Sequence, residues 1–192
     1  MTRFLLIRHG KTQGNLERRY VGDPEEPLCQ QGIEIAKTLT RSGELPFIDV
    51  LYSGQALRCR QTAEILFPKI QYKPCQMAEI DFGIFKNKNA DDLLGNKEYE
   101  TWLNTNCMGD IPEGENVQDF KERSCEIFLE IAQKHKTGTT AFIIHGGNIM
   151  AIMERFALPK QNFYDYHLPN CGYFFCQWEN NKLRIERKGN TV

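Results

Sequence analysis

Short apolar runs that end in turn residues alternate along this chain with segments of helical periodicity. The runs Thr2 to Ile7, Asp49 to Ser53 and Thr140 to Ile144 have the length and composition of buried β-strands. Each run ends at or near a glycine or a polar turn residue. We therefore expect these three segments to form parallel strands in the core of a sheet.

Between the runs, apolar side chains recur at the i, i+3, i+4 and i+7 positions of amphipathic helices. The longest such pattern extends from Val117 to Ile131, and shorter ones surround Ala36 and Ala63. The alternation of strand and helix predicts an α/β fold. We expect a three-layer sandwich with a mostly parallel central sheet and helices on both faces.

Two other segments depart from this alternation. The apolar runs Tyr173 to Glu179 and Leu183 to Glu186 flank Asn180-Asn181, which predicts a closing hairpin at the sheet edge. The stretch from about 82 to 115 mixes glycines, short polar pieces and aromatic side chains. We expect it to be a small irregular, partly helical cap inserted over the site. No repeat or linker divides the chain, so residues 1–192 are predicted to form a single domain.

Composition narrows the class of protein. The chain has 192 residues, of which 41% are hydrophobic, and its 24 Lys and Arg nearly balance 25 Asp and Glu. This balance does not favour a nucleic-acid partner, so any anion site must be local. The apolar run from Phe4 to Ile7 is too short for a signal peptide or a membrane span, which predicts a cytoplasmic protein with no membrane partner. The seven scattered cysteines are expected to be reduced thiols, mostly in the core.

Two of the predicted strands end in the same way. One leads into Arg8-His9-Gly10 and another into His145-Gly146-Gly147. Ligands of open parallel sheets bind beyond the carboxyl ends of neighbouring strands, so these strands would direct both histidines to one pocket. Glycines such as Gly146 let backbone N–H groups approach an anion, and a helix beginning near Asn148 adds its dipole. A lone histidine at a strand end is more often an ordinary core residue, but two matching ends predict an anion site.

A further basic piece follows the run that ends at Ser53. Arg58 and Arg60 lie two residues apart in a predicted helix and therefore point to different faces. Arg58 is able to turn inward, where its guanidinium group matches phosphate oxygens, while Arg60 stays solvated. Without the histidines, two solvated helix arginines would explain this pattern equally well.

Together these residues resemble the histidine phosphatase superfamily, which includes the cofactor-dependent phosphoglycerate mutases. The segment Arg8 to Asn15 is similar to the family's opening Arg-His-Gly-x-Thr-x-x-Asn box, and nearly the whole chain follows the family order. The other matching pieces are Tyr20-x-Gly22, Leu28 with Gly32, the Arg58 helix, Glu79 with Phe82-Gly83, Gly114-Glu115 and His145-Gly146-Gly147. The basic, proline-rich insert of the mutases is missing. The chain looks most like the small bacterial branch that includes α-ribazole phosphatase.

The resemblance implies a role for each charged residue. His9 would be the nucleophile, kept neutral by the adjacent arginines. Arg8, Arg58 and His145 would hold the equatorial oxygens of the transferred phosphoryl group, the task that metals perform in other enzymes. Glu79 would be the general acid with a raised pKa, although without the family it is a single loop acid. The resemblance calls for no metal and no cofactor.

Smaller contributions are expected from the loops. Asn15 and Gly146 are candidate phosphate ligands. Thr and Asn side chains after a strand often only cap a loop, so a capping role stays open for Thr12 and Asn15. In the cap, Phe85 and Trp102 are able to stack on a sugar or base, and core packing is the competing role.

We therefore expect a metal-independent phosphomonoesterase that acts through a phosphohistidine intermediate on a small phosphorylated metabolite. Candidate substrates are α-ribazole 5'-phosphate and sugar phosphates. The alternative enzyme is a phosphoglycerate mutase-type phosphotransferase. The alternative of another class is an inactive module that binds phosphorylated ligands.

Overall fold

The computed structural model describes residues 1–189, which fold into alternating strands and helices. The first half of the chain contains β1 (Thr2–Arg8), α1 (Gln13–Leu16), α2 (Gln30–Ser42), β2 (Val50–Gly54), α3 (Leu57–Leu66), β3 (Lys73–Cys75), a 3-10 helix (Gly83–Phe85) and α4 (Lys97–Asn104). The second half contains α5 (Val117–Lys134), β4 (Gly138–Ile144), α6 (Gly146–Phe156), β5 (Ala157–Leu158), a 3-10 helix (Phe163–Tyr166), β6 (Tyr173–Glu179) and β7 (Lys182–Gly189).

The strands form one sheet with the order β3-β2-β4-β1-β6-β7-β5. The three predicted core strands are neighbours and parallel: β4 lies between β1 and β2. The hairpin of β6 and β7 also forms as predicted, but the two-residue β5 pairs with β7, so the hairpin is not the outermost piece at this edge. The prediction of an α/β fold with a mostly parallel sheet is confirmed.

Each face of the sheet is covered by its own helices, because successive side chains of a strand point to opposite faces. Leu5 and Ile7 of β1 pack in one apolar cluster with side chains of α2 and α3. Phe4 and Leu6 pack in a second cluster with side chains of α5 and α6. All four of these side chains are fully buried. The strands are therefore apolar on both sides, as the unbroken run at the start of the sequence indicated.

The cap has a small core of its own. Phe85, Leu93, Tyr99 and Trp102 are buried in a third apolar cluster that also includes Ile111 and Val117. This packing agrees with the prediction of an irregular, partly helical segment between about 82 and 115. The single-domain organisation over 1–192 stays a prediction, and its last three residues lie outside the described part of the chain.

The connections place a crevice between β1 and β4. The chain leaves β1 toward α2 on one face, and it leaves β4 toward α6 on the other face. Neighbouring parallel strands whose following helices lie on opposite faces open a crevice beyond their carboxyl ends.

Candidate active site

His9 and His145 lie directly beyond the carboxyl ends of β1 and β4. Arg8 is paired with Ile144 in the parallel register, so the next residue of each strand lies at the same level of the crevice. The two imidazole centroids are 5.2 Å apart and the ring planes are inclined at 69°. Both side chains are buried. The strand ends that the sequence singled out therefore form one site.

The imidazole of His9 has a defined tautomer. Its Nδ1 lies 2.7 Å from the carbonyl oxygen of Gly10. Because a carbonyl oxygen only accepts hydrogen bonds, Nδ1 carries the proton and the lone pair lies on Nε2. Burial lowers the pKa of His9 well below 6.5, and the positive charges of Arg58 and Arg8 lower it further. Nε2 is therefore an unprotonated base at neutral pH, which is the state that a nucleophile requires.

His145 is the N-cap residue of α6, which begins at Gly146 rather than near Asn148. Its Nδ1 lies 3.4 Å from Nη2 of Arg58 and its Nε2 lies 3.7 Å from Sγ of Cys59. A guanidinium group only donates hydrogen bonds, so Nδ1 accepts and Nε2 carries the proton. Burial lowers the pKa of His145 well below 6.5, and Arg58 and His9 add to this effect.

Arg58 and Arg60 take opposite directions, as the helical spacing predicted. The Arg58 side chain is buried, and its Nη1 donates to the carbonyl oxygen of Asp23 at 2.8 Å. Arg60 lies at the surface, where its Nη2 is 3.4 Å from Oε2 of Glu25. Of these two helix arginines, Arg58 therefore reaches the histidines and Arg60 does not.

Arg8 approaches the same site from the end of β1. Its Nη1 donates to the carbonyl oxygen of Leu168 at 2.7 Å and lies 3.3 Å from Nε2 of His167. Within the described residues, the buried Nε–H groups of Arg8 and Arg58 find no hydrogen-bond acceptor. Two buried cationic donors without acceptors form a site that an anion would satisfy.

Glu79 lies after β3, with its carboxyl group against the backbone of Gly147. A β-carbon at position 147 would lie 2.5 Å from Oε1 of Glu79, so this approach requires glycine. Burial raises the pKa of Glu79, while backbone hydrogen bonds from Ile80 and Gly147 and the nearby Arg58 and Arg8 oppose the rise. The raised pKa agrees with the expectation from the sequence, but its cause here is burial, and the basic side chains act against it.

The loop after His9 forms a capping arrangement. Thr12 caps α1: its side chain accepts from the backbone N–H of Asn15, and Oδ1 of Asn15 accepts from the backbone N–H of Thr12 at 3.2 Å. The same Oδ1 accepts from Nδ2 of Asn170 at 3.0 Å. The capping role that the sequence left open is thus present, and phosphate binding by Asn15 stays a prediction. Gly146 lies beside Arg8: a β-carbon at position 146 would be 3.3 Å from Nε of Arg8.

A pocket of about 270 Å³ extends from this site toward the cap. Arg8, Glu79, Gly146 and Gly147 line its polar end. The rest of its wall is largely aromatic, formed by Tyr20, Phe82, Trp102, Phe120, Phe163 and Tyr164. Oη of Tyr164 donates to the carbonyl oxygen of Asn106 at 3.0 Å and so ties the second 3-10 helix to the cap. Of the two aromatic candidates, Phe85 lies in the cap core, whereas Trp102 both packs in that core and lines the pocket.

The model of the histidine phosphatase superfamily (branch 1) matches residues 4–191 of this sequence. The chain belongs to this superfamily. The resemblance noted from the Arg8 to Asn15 box and the two histidines is therefore confirmed.

Several superfamily members are similar to the chain. A curated relative from Escherichia coli O1:K1, named "Probable phosphoglycerate mutase GpmB", is 34% identical over 134 residues, which are 64% of this chain and 60% of the relative. The match thus spans less than two thirds of that relative's length. The protein TTHB049 from Thermus thermophilus is 26% identical, with a TM-score of 0.76 over 98% of this chain and 99% of the other.

Two named phosphatases share the fold at lower identity. The α-ribazole phosphatase of Shigella flexneri is 19% identical, with a TM-score of 0.87 over 99% of this chain and 97% of the other. The phosphoserine phosphatase of Entamoeba histolytica, solved as its own H9A mutant in complex with phosphoserine, is 21% identical. Its TM-score is 0.84 over 100% of this chain and 98% of the other. The neighbours of this superfamily member thus include phosphatases and a protein named as a mutase.

Three residues of this superfamily member reach the site although the sequence did not single them out. Oγ1 of Thr62 accepts from the backbone N–H of Gly10 at 2.8 Å, and Nδ2 of Asn170 donates to the carbonyl oxygen of His9 at 3.1 Å. His167 contacts Arg8, as described above. Thr62 lies one helical turn after Arg58, a spacing that offered a signal. His167 and Asn170 lie in an irregular segment whose sequence has no pattern that points to the site.

The remaining expectations concern cysteines, metals and membranes. All seven cysteines are free, and Cys59, Cys75, Cys125, Cys171 and Cys176 are buried, which confirms that most of them fill the core. Residues 1–189 contain no cluster of three or more His, Cys, Asp or Glu side chains able to hold a metal ion. No helix in this range has the length and apolar character needed to cross a membrane. Cytoplasmic localisation stays a prediction.

Proposed function

We propose that this protein is a phosphomonoester hydrolase that forms a covalent phosphoryl intermediate on Nε2 of His9. The observation that carries this proposal is the combination of a neutral His9, whose proton is fixed on Nδ1, with two buried guanidinium groups whose Nε–H donors find no acceptor among residues 1–189. An unprotonated nucleophile beside an anion site is the arrangement that attack on a phosphate ester requires.

The reaction takes place in two steps. In the first, Nε2 of His9 attacks phosphorus, the bond from phosphorus to the ester oxygen breaks, and the leaving alkoxide takes the proton of Glu79. In the second, a water molecule attacks phosphorus and gives a proton to the Glu79 carboxylate, while the bond from phosphorus to Nε2 breaks. Inorganic phosphate leaves, and His9 and Glu79 return to their starting protonation states.

The surrounding cations stabilise the charge that develops during these steps. Arg8 and Arg58 direct their Nε–H groups to the equatorial oxygens, and the N-terminus of α6 at Gly146 adds backbone N–H donors. His145 supports the same oxygens once a phosphate ester occupies the crevice. These charges supply the electrostatic stabilisation that metal ions provide in other phosphoryl-transfer enzymes.

The alcohol part of the substrate occupies the aromatic pocket. Because most of that wall consists of rings such as Tyr20, Trp102 and Tyr164, it favours an ester whose alcohol presents an apolar or aromatic surface. Among phosphorylated metabolites, α-ribazole 5'-phosphate carries such a surface, and sugar phosphates are the weaker candidates. The similarity in fold to the α-ribazole phosphatase of Shigella flexneri supports this choice.

A mutase-type phosphotransferase is the second candidate, and one observation favours it. The 34% identical relative is named "Probable phosphoglycerate mutase GpmB". In a mutase, the intermediate on His9 is passed to a second hydroxyl group instead of water. The absence of the basic, proline-rich insert from the sequence favours water as the acceptor.

A phosphatase assay on a panel of phosphomonoesters tests the proposal. Phosphate release is measured in excess chelator for the native protein, for His9→Ala and for the matched control His135→Ala, whose side chain contacts Tyr52 away from the site. We expect His9→Ala to lose about ten-thousand-fold or more of the activity, as nucleophile removal does elsewhere, and His135→Ala to keep it. Full activity of His9→Ala would refute the mechanism. No release by the native protein would favour the inactive ligand-binding module.

Two further readouts separate the enzyme candidates. Labelled phosphate trapped on the protein should be acid-labile and base-stable, as a phosphoramidate is, and should disappear in His9→Ala. Incubation with 3-phosphoglycerate and its bisphosphate primer should release phosphate. Interconversion of phosphoglycerates without phosphate release would instead identify a mutase.

A further inference from the structure

Arg123 of α5 binds the backbone of the segment that carries Glu79. Its Nη1 donates to the carbonyl oxygen of Ala78 at 3.1 Å, and its Nη2 donates to that of Glu79 at 3.2 Å. The same guanidinium group forms a bidentate pair with Glu115, with 2.8 Å between Nη2 and Oε2. One planar side chain thus joins α5, the Glu79 segment and the end of the cap.

Glu115 belongs to the Gly114-Glu115 pair, for which the sequence supplied no role. Its backbone N–H donates to the carbonyl oxygen of Asp81 at 3.0 Å, and its Oε2 accepts from the backbone N–H of Asp81 at 3.4 Å. A β-carbon at position 114 would lie 2.5 Å from the carbonyl oxygen of Asp81. Glycine at this position therefore allows the two segments to run in close contact, and Glu115 fixes Arg123 between them.

In the described part of the chain, the backbone around Glu79 pairs with no strand, since β3 ends at Cys75. A second side chain completes its support: Nδ2 of Asn148, on α6, donates to the carbonyl oxygen of Ala78 at 3.0 Å and to Oγ of Ser124 at 2.9 Å. Side-chain donors from two helices thus replace the hydrogen bonds of a strand. Three donated hydrogen bonds thus hold the carbonyl groups of Ala78 and Glu79, and a displacement of the segment would have to break them together.

We propose that Arg123, held by Glu115, is a positioning residue that keeps the Glu79 carboxyl group against Gly147 and within reach of the ester oxygen. Arg123 does not line the pocket that contains Arg8 and Glu79, so it acts through Glu79 rather than on the phosphoryl group. The proposal rests on the proposed function in its assignment of proton transfer to Glu79. Proton transfer depends on hydrogen-bond distance, so a displacement of about 1 Å strongly reduces it.

The test compares two substrates that differ in their need for an acid. The alcohol part of benzyl phosphate leaves as a basic alkoxide, which requires a proton. The alcohol part of para-nitrophenyl phosphate leaves as a stable phenolate, which does not. For benzyl phosphate, we expect kcat/KM, which reports the steps through release of the alcohol, to fall about 100-fold in Glu79→Gln and in Arg123→Met, and less in Arg123→Lys and Glu115→Gln. For para-nitrophenyl phosphate, kcat/KM should change less than about threefold in the same variants, because the water-activating step that also uses Glu79 does not enter kcat/KM. Arg60→Met, which removes a surface arginine that also pairs with a glutamate, is the matched control and should change neither value.

A double variant and a readout without catalysis complete the design. Arg123→Met added to Glu79→Gln should cause no further loss with benzyl phosphate. An equal loss on both substrates in Arg123→Met, or a multiplied loss in the double variant, would overturn the proposal.

The second readout is the pKa of Glu79, measured by 13C NMR of labelled glutamate and assigned with Glu79→Gln. This pKa should fall toward its ordinary value in Arg123→Met, because the carboxyl group gains access to water. An unchanged pKa would also overturn it. The NMR measurement requires no catalysis, so it tests the position of Glu79 even if no ester is hydrolysed. Absence of hydrolysis would refute the proposed function and not this proposal.

Discussion

The imidazole rings of His9 and His145 meet at an angle of 69° with 5.2 Å between their centroids, at the ends of two adjacent parallel strands. This distance is short enough for a charge on one ring to oppose protonation of the other, and the charge of His9 does contribute to the lowered pKa of His145. Burial, Arg58 and Arg8 lower the pKa of both rings, and Arg123 also lowers that of His145. The pair is therefore uncharged in the anion-free protein at neutral pH.

The activity should respond to pH through His9 on the acidic side and through Glu79 on the alkaline side. His9 must be unprotonated, and its pKa lies well below 6.5, so kcat/KM should fall only at pH values below 6.5. Glu79 must be protonated, and its pKa is raised by burial, so activity should fall as the pH rises through that pKa. The measurement is the pH profile of kcat/KM with benzyl phosphate.

Glu79→Gln is the control for this profile. It should remove the alkaline limb and leave the acidic limb in place, because only the acid has been replaced. If the alkaline limb persists in Glu79→Gln, another group donates the proton.

Anion binding should change the charge state of His145. In the anion-free protein, burial and nearby cations keep its pKa low. A phosphate dianion between Arg8 and Arg58 adds negative charge, which favours the protonated imidazole and raises the pKa. We expect the 15N NMR signals of His145 to titrate at a higher pH in saturating inorganic phosphate, while His135 serves as an internal reference. An unchanged His145 titration would mean that phosphate does not occupy this crevice.

Stability should decrease in mild acid because of the buried histidines. The pKa values of His9 and His145 are lowered in the folded state, so below about pH 6.5 the unfolded chain binds more protons. The free energy of unfolding should then fall by up to about 1.4 kcal/mol per pH unit for each histidine. Urea unfolding between about pH 5 and 6.5 measures this slope.

The control must remove the opposite contribution of Glu79. Its raised pKa means that the folded state retains a proton above pH 4.5, which stabilises the fold as the pH falls. The slope is therefore compared in Glu79→Gln and in Glu79→Gln combined with His9→Gln. The slope of the second protein should be smaller by up to about 1.4 kcal/mol per pH unit, because His145, His135 and His167 keep their lowered pKa values. Identical slopes would contradict a neutral, buried His9.

The aromatic pocket should determine selectivity for the alcohol. Tyr164 lines the pocket at its partly exposed rim. Tyr164→Ala should raise KM for benzyl phosphate about three- to tenfold through the loss of ring contacts, and should change KM for phosphoserine less than about twofold. Tyr72→Ala, which removes a ring remote from this pocket, is the matched control. Equal changes for both esters in Tyr164→Ala would show that the pocket does not bind the alcohol.

Much of this molecule was predictable because the signals are local. The strand from Thr2 and the long helix from Val117 follow directly from apolar periodicity, and the two His-Gly strand ends indicated a shared site. The opposite directions of Arg58 and Arg60 followed from helix geometry. By contrast, Arg123, His167 and Asn170 contact site residues from 44 to 161 positions away in the sequence. No local pattern encodes such contacts.

The sequence by itself therefore determined the fold class, the family and the chemical type of the site, since hydrophobic periodicity and short motifs act within a few residues. Tertiary structure alone decided the quantities on which the chemistry depends. It fixed the proton of His9 on Nδ1 through Gly10, left the Nε–H groups of Arg8 and Arg58 without acceptors among residues 1–189, and placed the Glu79 carboxyl group against Gly147. The tautomer, the desolvation and the charge of a side chain depend on which groups surround it in space, and only the folded chain brings those groups together.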